Sequence, residues 1–436
     1  VSGTWAGTMV LTEADAGSDV GALTTKAIPQ DDGTYRISGS KIYITWGDHD
    51  LTDNIVHIVL ARTPDAPPGT KGISCFIVPK FLRNDDGSVG EFNNVETVSL
   101  EDKLGIHASP TAVLSFDDSV GYLIGEENQG MRYMFTMMNN ARLQVGLQGV
   151  AAAERAYQGA VEYALERKQC RAIGAPKTEK SLIVEHPDVR RMLMLMRSQI
   201  EAARCLVFKT AEFIDLSREH PDEAARERAV ERLALFTPVA KAWPTDMSIE
   251  VTSLGIQVLG GIGYVEESGM PQHFRDARIT SIYEGTNGIQ AADLVARKLP
   301  MRGGDVVREL IEEMTEVAET LAATEDLAEI GAGLMDAIGA LTEASFGLGK
   351  MLMEDPNDAL AGATAYQEMF GLTAGGWLLG VSALAAHAGT GDEAFDRDKI
   401  ATARFFAKNL LPTVRGLLPS ALAGSADLFA IEQDRL

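Results

Sequence analysis

Short apolar runs separated by polar turns characterise the first part of the chain. Residues 34–44 alternate between apolar and polar side chains, and residues 55–60, 73–78 and 111–116 are brief apolar runs with β-branched residues. Such segments predict β-strands. Turns rich in Gly, Pro and Asp separate them, and no stretch with helical spacing lies between them. The pattern therefore predicts an antiparallel β barrel or sandwich.

Helical spacing replaces this pattern beyond residue 125. Long segments predict helices at residues 130–168, 187–217 and 223–259, and shorter helices are expected after Pro271 and from Asn287. Long helices joined by short breaks predict a bundle of about four helices.

The two patterns together predict an α+β fold with three domains. We expect a β domain at residues 1–125, a helical bundle at 126–300 and a further acidic helical domain at 301–436. A charge-free stretch at 369–391 is mildly apolar and rich in Gly and Ala. Its composition favours a buried helix over a membrane span, so we expect no stable membrane insertion.

Charge and cysteine usage narrow the class of protein. The 436 residues include 62 acidic and 39 basic side chains, which gives a net charge of -23. A surface this acidic repels phosphate backbones and disfavours nucleic acid as a partner. The three cysteines are far apart, and the histidines show no metal-binding spacing, so we expect neither disulfides nor a metal. With no secretory signal at the start of the sequence, we expect a cytoplasmic location.

Two segments of the β domain carry candidate chemistry. Residues 9–19 run from a strand into a turn of small and hydroxyl-bearing residues, which can approach a flat ring and a pyrophosphate closely. Tyr43 and Thr45 stand two apart on a strand and so share a face, where a ring beside a hydroxyl suits a flavin. Each segment alone is also typical of ordinary β proteins, as a hairpin loop or a surface aromatic ladder.

A third segment, residues 282–290, reads Ile-Tyr-Glu-Gly-Thr-Asn-Gly-Ile-Gln. Thr286 or Asn287 can cap the helix that follows. Glu284 has two interpretations when it is taken alone. It is either an acid favoured by the dipole of that helix or a functional carboxylate.

In this order and at these separations, the three segments resemble the acyl-CoA dehydrogenase superfamily. The resemblance covers residues 4 to about 298. The Leu-Thr-Glu-x-x-x-Gly-Ser-Asp turn and the Tyr-Glu-Gly-Thr segment carry it as a pair. Residues 44–50 and the long helical tail resemble a subfamily of 3-methylthiopropanoyl-CoA dehydrogenase-like enzymes, which have an extra C-terminal helical domain.

The resemblance implies FAD as the cofactor and an acyl-CoA thioester as the substrate. By similarity, FAD would be bound by Met9, Leu11, Thr12, Ser18, Tyr43, Ile44, Thr45, Arg167, Gln169, Gln257, Gly260, Gly261, Thr286, Asn287 and Gly288. The acyl-CoA would be contacted by Ser18, Asn139, Arg142 and Gly285. Arg167 and Gln169 match a segment that reaches the FAD of a neighbouring subunit, which implies a dimer or tetramer with shared FAD.

The same resemblance implies that Glu284 removes the α proton while the β hydride passes to flavin N5. Some relatives place the base on the first long helix just before the arginine, where this chain has Ala141. Glu284 therefore remains the candidate base. The expected electron acceptor is an electron-transferring flavoprotein. The alternatives are an acyl-CoA oxidase that uses oxygen and a non-catalytic flavin-binding relative.

Some positions depart from the family pattern. Ala14 stands where proline is usual, Tyr43 where tryptophan is usual, and Gly288 where glutamine is frequent. Cys170-Arg171 replaces the usual Phe-Gly, which affects the expected adenine contacts. Family members also carry a helical domain before the β domain. We expect that domain to lie outside this chain, either because the chain is a fragment or because a partner supplies it.

Overall fold

The computed structural model describes residues 3–176 and 179–436. Its strands are β1 (Ala6–Val10), β2 (Lys26–Pro29), β3 (Tyr35–Thr45), β4 (Ile55–Ala61), β5 (Ser74–Pro79), β6 (Phe81–Arg83), β7 (Val89–Phe92), β8 (Val95–Leu100) and β9 (Thr111–Leu123). Its α-helices are α1 (Gly130–Glu166), α2 (Pro187–Glu219), α3 (Glu223–Leu259), α4 (Met270–Arg278), α5 (Asn287–Asp293), α6 (Asp305–Ala323), α7 (Ala328–Glu354), α8 (Pro356–Ala361), α9 (Ala363–Ala388), α10 (Glu393–Asn409) and α11 (Pro412–Ala421). The α+β class predicted from the sequence is confirmed.

The chain divides into two compact units, which meet in sequence at Asn140 and Ala141 within α1. The first unit contains the strands and the first turns of α1, and the second contains the remaining helices. The predicted domain limits at residues 125 and 300 remain predictions.

The first unit is built on a sheet with the order β1-β4-β5-β9-β3-β2, in which β8 also pairs with β9. The expected antiparallel arrangement holds for β2–β3, β3–β9, β4–β5, β5–β9 and β8–β9. It does not hold for β1, which pairs with β4 in parallel, Ala6 opposite Ile55. The two strands are separated by β2 and β3, and a connection of that length permits a parallel crossover.

The four strands predicted from the apolar pattern correspond to β3, β4, β5 and β9, and β9 is longer than predicted. Their inward side chains form the core of the sheet, which includes Val59, Phe76 and Leu114. The short strands β2, β6, β7 and β8 were not predicted. Their residues are mostly exposed, so the alternation that marks a half-buried strand is weak there.

The second unit confirms the predicted helices with close bounds. α1, α2 and α3 begin within one residue of the predicted starts, and α3 continues through Pro238 and Pro244. The apolar stretch predicted as a buried helix is α9. Among the described residues it is the one helix long and apolar enough to cross a membrane, and 78% of its most apolar window is buried inside the protein.

Close packing of α1 on α3 depends on Gly146. Pro244 has no amide N–H, so the carbonyl of Ala240 four residues earlier lacks its helical donor. A Cβ at Gly146 would lie 1.9 Å from that carbonyl oxygen. The backbone of α1 therefore approaches α3 where the helix is interrupted, and it can do so because residue 146 has no side chain.

We expect Gly146→Ala to lower the free energy of unfolding by about 1–3 kcal/mol or more, because backbone must move to admit the new methyl group. Denaturant unfolding of the purified protein measures the effect. Gly349→Ala on α7 is the matched control, since a Cβ there meets nothing within 4 Å. Alanine should be neutral or stabilising at residue 349. Equal stabilities for the two variants would contradict this account of the packing.

Candidate active site

The turn that follows β1 is closed by paired backbone hydrogen bonds. The amide of Glu13 donates to the carbonyl of Ala16, and the amide of Ala16 donates back, each at 3.1 Å. The carbonyl of Thr12 accepts from the amide of Ile42 on β3 at 3.0 Å. The predicted flavin-binding turn is thus fixed beside the strand that carries Tyr43.

The side chains of the turn face in two directions. Met9 and Leu11 are half-buried and pack on a small apolar cluster of the first unit. Ser18, which was predicted to contact both FAD and substrate, is exposed, as is Gly17 before it. A Cβ at Gly17 would meet nothing within 4 Å, so the outer side of the turn leaves room for a ligand.

A buried ion pair holds the turn in place. Glu13 is 7% exposed and Lys41 is 0% exposed, and their charged atoms are 2.9 Å apart. The Glu13 carboxylate also accepts hydrogen bonds from the amides and hydroxyls of Thr24 and Thr25, at 2.6–3.0 Å. Lys41 Nζ donates to the carbonyl of Leu11 at 2.8 Å. The pair therefore connects the turn, the start of β2 and β3.

Burial alone would raise the pKa of the Glu13 carboxyl, but the Lys41 ammonium and the hydrogen bonds from Thr25 and Thr24 lower it to about 2. Sequence reasoning missed this pair, which is 28 residues apart along the chain. The available signal was an acid between a strand and a small-residue turn, with a lysine at the inward position of a later strand.

A bulge in β3 sets the orientation of Tyr43. The register with β9 shifts between Lys41 and Ile44, and Tyr43 adopts a positive φ of 59°. Tyr43 is 62% exposed and Thr45 is exposed, so both side chains are accessible, and their role in flavin binding remains a prediction. Ile44 is 2% exposed and lies in the sheet core. A contact of residue 44 with FAD would therefore involve its backbone.

The segment with Glu284 forms a strained loop before α5. Glu284 has a φ of 56° and Gly285 a φ of 85°, and left-handed backbone is uncommon for a residue with a side chain. Thr286 is the N-cap of α5, since its hydroxyl accepts from the amide of Ile289 at 3.2 Å. Of the two caps considered from sequence, the structure selects Thr286.

Gly285 is required at its position for two reasons. Its positive φ disfavours any side chain, and a Cβ there would lie 2.6 Å from Gln290 Nε2. Arg142 is also close, with Nη2 3.6 Å from the same point. Arg142 Nε donates to the carbonyl of Glu284 at 3.4 Å. The structure thus brings together Arg142, Glu284 and Gly285 as predicted, while Asn139 lies exposed one turn earlier on α1.

The carboxyl of Glu284 is half-buried, near the charges of Arg142 and Lys241. Burial raises the pKa of Glu284 above its ordinary value, and the nearby Arg142 and Lys241 charges oppose that rise. A carboxyl whose pKa is raised by burial is suited to accept a proton, because its carboxylate form has a higher proton affinity. Ala141, at the alternative position for the base, has no titratable group.

The side chain of Asn287, which was predicted to bind FAD, points inward and is bonded to α3. Its amide donates to the carbonyl of Ala242, to Thr245 Oγ1 and to Asp246 Oδ1, and its oxygen accepts from Lys241 Nζ. A contact between residue 287 and FAD would therefore involve its backbone. Gly288 is exposed next to it.

The other predicted FAD residues of the second unit lie at the far ends of long helices. Arg167 and Gln169 follow α1, where residues 167–169 bond to 181–183, and both are exposed. Gln257 lies in the last turn of α3, and Gly260 is the C-cap of that helix, with a φ of 67°. A Cβ at Gly260 or Gly261 would meet nothing within 4 Å, which leaves both open to a ligand.

These ends are remote from Glu284 within one protomer. Arg142 and Arg167 are 25 residues apart along one helical segment, or about 37 Å at 1.5 Å per residue. Thr245, which contacts Asn287, precedes Gln257 by 12 residues on α3, or about 18 Å. The structure therefore does not bring the Arg167 and Gln257 segments to the Glu284 loop of the same chain. Within the described residues, no three His, Cys, Asp or Glu side chains are grouped to hold a metal.

Comparisons with known proteins match this arrangement along the chain. Residues 8–119 match the family model "Acyl-CoA dehydrogenase, middle domain", and residues 128–299 match "Acyl-CoA dehydrogenase, C-terminal domain". Residues 310–432 match "Acetyl-CoA dehydrogenase C-terminal like". A 3-methylmercaptopropionyl-CoA dehydrogenase of Ruegeria pomeroyi is 49% identical over 94% of this chain and 70% of its own length. The chain belongs to the acyl-CoA dehydrogenase family.

A butyryl-CoA dehydrogenase of Syntrophomonas wolfei is 40% identical, over 99% of this chain and 73% of its own length. The solved structure of Caenorhabditis elegans ACDH-11 in complex with C11-CoA has a similar fold, with a TM-score of 0.77, 24% identity and coverage of 93% of this chain and 64% of that chain. Family membership confirms the predicted enzyme class, an FAD-dependent acyl-CoA dehydrogenase with an additional C-terminal helical region.

Proposed function

We propose that Glu284 is the base of an α,β-dehydrogenation that converts an acyl-CoA thioester to the trans-2-enoyl-CoA. One observation carries the proposal. A half-buried carboxyl whose pKa is raised by burial stands on a strained loop, near the charges of Arg142 and Lys241, which oppose that rise. This combination places a base with affinity for a proton at a fixed position. Arg142 and Gly285 fix the position of the loop around it.

The chain's own residues would perform three tasks in this reaction. Glu284 takes the α proton on its carboxylate. The backbone N–H of Glu284 stabilises the developing enolate oxygen, since a fixed amide donor is effective where charge develops. Bound FAD supplies the hydride-acceptor chemistry for the β carbon. Tyr43, Thr45 and Ser18 of the first unit supply exposed ring and hydroxyl groups suited to holding a flavin.

We also propose that FAD is shared between protomers of a homodimer or homotetramer. The support is the separation along α1 and α3, which keeps Arg167, Gln169 and the Gly260-Gly261 turn roughly 18 Å or more from the Glu284 loop of their own chain. All of them are exposed. A second protomer would allow the ends of these helices to complete the cofactor site of its neighbour.

Arg167→Ala tests this sharing. We expect it to weaken FAD binding about 10- to 100-fold, because a lost charge-assisted contact to a pyrophosphate removes roughly 1.5–3 kcal/mol. FAD content after dialysis and the oligomeric state are the measurements. Arg191→Ala, at an exposed arginine on α2, is the control. Unchanged FAD retention in Arg167→Ala would remove this residue from the cofactor site.

The substrate and acceptor belong to the same proposal. The similarity to an enzyme that acts on 3-methylmercaptopropionyl-CoA favours a short acyl chain or its thioether analogue. We propose an electron-transferring flavoprotein as the acceptor and a cytoplasmic location. A panel of acyl-CoA thioesters, assayed with electron-transferring flavoprotein and in air, tests the substrate and the electron acceptor. Reduction of the flavoprotein supports a dehydrogenase. Stoichiometric hydrogen peroxide would indicate the oxidase alternative instead.

A further inference from the structure

The loop that carries Glu284 is anchored from within by a buried lysine. Lys241 lies on α3 and is 0% exposed, and its Nζ donates to Asn287 Oδ1 at 2.7 Å. A buried ammonium is unfavourable unless it is hydrogen-bonded and near an opposite charge. Placing it here therefore requires a partner on the loop, and Asn287 provides that partner three residues after Glu284.

Asn287 attaches the start of α5 to a single stretch of α3. Its amide nitrogen lies 3.2 Å from the carbonyl oxygen of Ala242, 2.9 Å from Thr245 Oγ1 and 2.7 Å from Asp246 Oδ1. Lys241 Nζ donates to the oxygen at the other end of the amide, and this contact orients the Asn287 side chain for these bonds. Asn287 thus holds the loop in addition to the Arg142 contact, and its side chain is oriented by Lys241.

The charges around this contact come from four elements. Lys241 faces Asp246 on its own helix, Glu284 on the loop and Arg142 on α1. Glu284 faces the two cations, Arg142 and Lys241. Glu368 of α9 also faces Asp246. Burial lowers the pKa of Lys241 to about 8, with Asp246 and Glu284 opposing the fall, so the ammonium is charged at neutral pH.

We propose that Lys241 is a positioning residue for Glu284, which places a positive charge near the base and fixes the loop through Asn287. This inference rests on the proposed role of Glu284 as the base. Nothing in it requires Lys241 to touch substrate or FAD. Its effect is transmitted through the carboxylate and through the Asn287 side chain.

Removal of the Lys241 charge changes the pKa of Glu284 in one defined direction. The Lys241 cation lowers the pKa of Glu284, so its removal raises that pKa. The ascending limb of kcat/KM against pH, which reports the essential base of the free enzyme, should then move to higher pH. The loss of a neighbouring opposite charge typically moves such a limb by about 1 pH unit or more.

The test compares Lys241→Met with Lys241→Gln in the FAD-loaded full-length protein. Both variants remove the charge, and Gln retains an amide that can donate to Asn287. We expect the ascending limb to shift upward by about 1 pH unit in both variants. The loss of kcat/KM should be largest at low pH and should shrink as pH rises, with Met below Gln at the plateau. Circular dichroism and FAD content verify that the variants are folded and loaded.

A role in stability alone would lower kcat/KM by the same factor at every pH. An unmoved limb in folded, loaded variants would therefore overturn the inference, whatever the loss of rate. Failure of the underlying proposal has a different signature, because Glu284→Gln would then retain turnover while wild type and both Lys241 variants share one pH profile.

Discussion

Glu284→Gln retains FAD and acyl-CoA binding and reduces dehydrogenation by about 10²–10⁴-fold, the range typical for loss of a general base. Glutamine has nearly the same shape, so the loop should keep its backbone. The hydrogen bond from Arg142 reaches the main-chain carbonyl of residue 284 and does not depend on the carboxylate. What is lost is the lone pair that takes the α proton, and Ala141 offers no substitute.

Rapid anaerobic mixing with acyl-CoA measures the rate of flavin reduction, and a titration measures binding. Glu250→Gln is the matched control, because Glu250 also has a pKa raised by burial but lies on α3 outside the predicted site. We expect that control to reduce its flavin at the wild-type rate. Near-normal reduction in Glu284→Gln would refute the assignment of the base.

Glu13→Gln lowers the free energy of unfolding by about 3–5 kcal/mol, because it leaves the Lys41 ammonium buried without its counter-charge. Glu13 also accepts hydrogen bonds from Thr24 and Thr25, and an amide nitrogen in place of one oxygen would face those donors. Since the pair holds the turn of residues 11–19, FAD content should fall together with stability. Denaturant unfolding and the flavin-to-protein ratio are the two measurements.

Two controls sharpen this prediction. Glu13→Gln combined with Lys41→Met removes both charges and should recover much of the lost stability, since replacing a whole buried pair is far less harmful than breaking it. The pH dependence provides the second control. The pKa of Glu13 is lowered from 4.5 to about 2, so its stabilising contribution is complete above about pH 4.5 and is lost as pH falls toward 2. Wild type should therefore lose stability more steeply than Glu13→Gln across that interval, and parallel curves would contradict the assignment.

Local patterns in the sequence were sufficient to locate the strands β3, β4, β5 and β9 and the helices α1 to α5. The period of apolar residues located β3 and α1 to α3, and prolines and turn residues marked their ends, because both features act within a few residues. Pairing between distant strands is not encoded in that way. The parallel alignment of β1 with β4 depends on a crossover, and the bulge at Tyr43 depends on the register with β9.

The candidate site was likewise predicted in part. The motif located Glu284 and Gly285, the resemblance implied Arg142, and the structure places Arg142 beside them. The two buried lysines were not predicted, since Lys41 and Lys241 lie in apolar surroundings and pair with residues 28 and 46 positions away. A charged residue within an apolar run is a signal that something must compensate it, but the sequence does not identify the partner.

Mixing the FAD-loaded full-length protein with an acyl-CoA in the absence of oxygen tests the central claim most directly. The account predicts that the visible absorbance of the flavin is lost and that each reduced FAD is matched by one enoyl-CoA, lighter than the substrate by two hydrogens. It further predicts that Glu284→Gln binds the same acyl-CoA without this reduction. An acyl-CoA panel that binds the wild-type protein and leaves its flavin oxidised in every case would contradict the account.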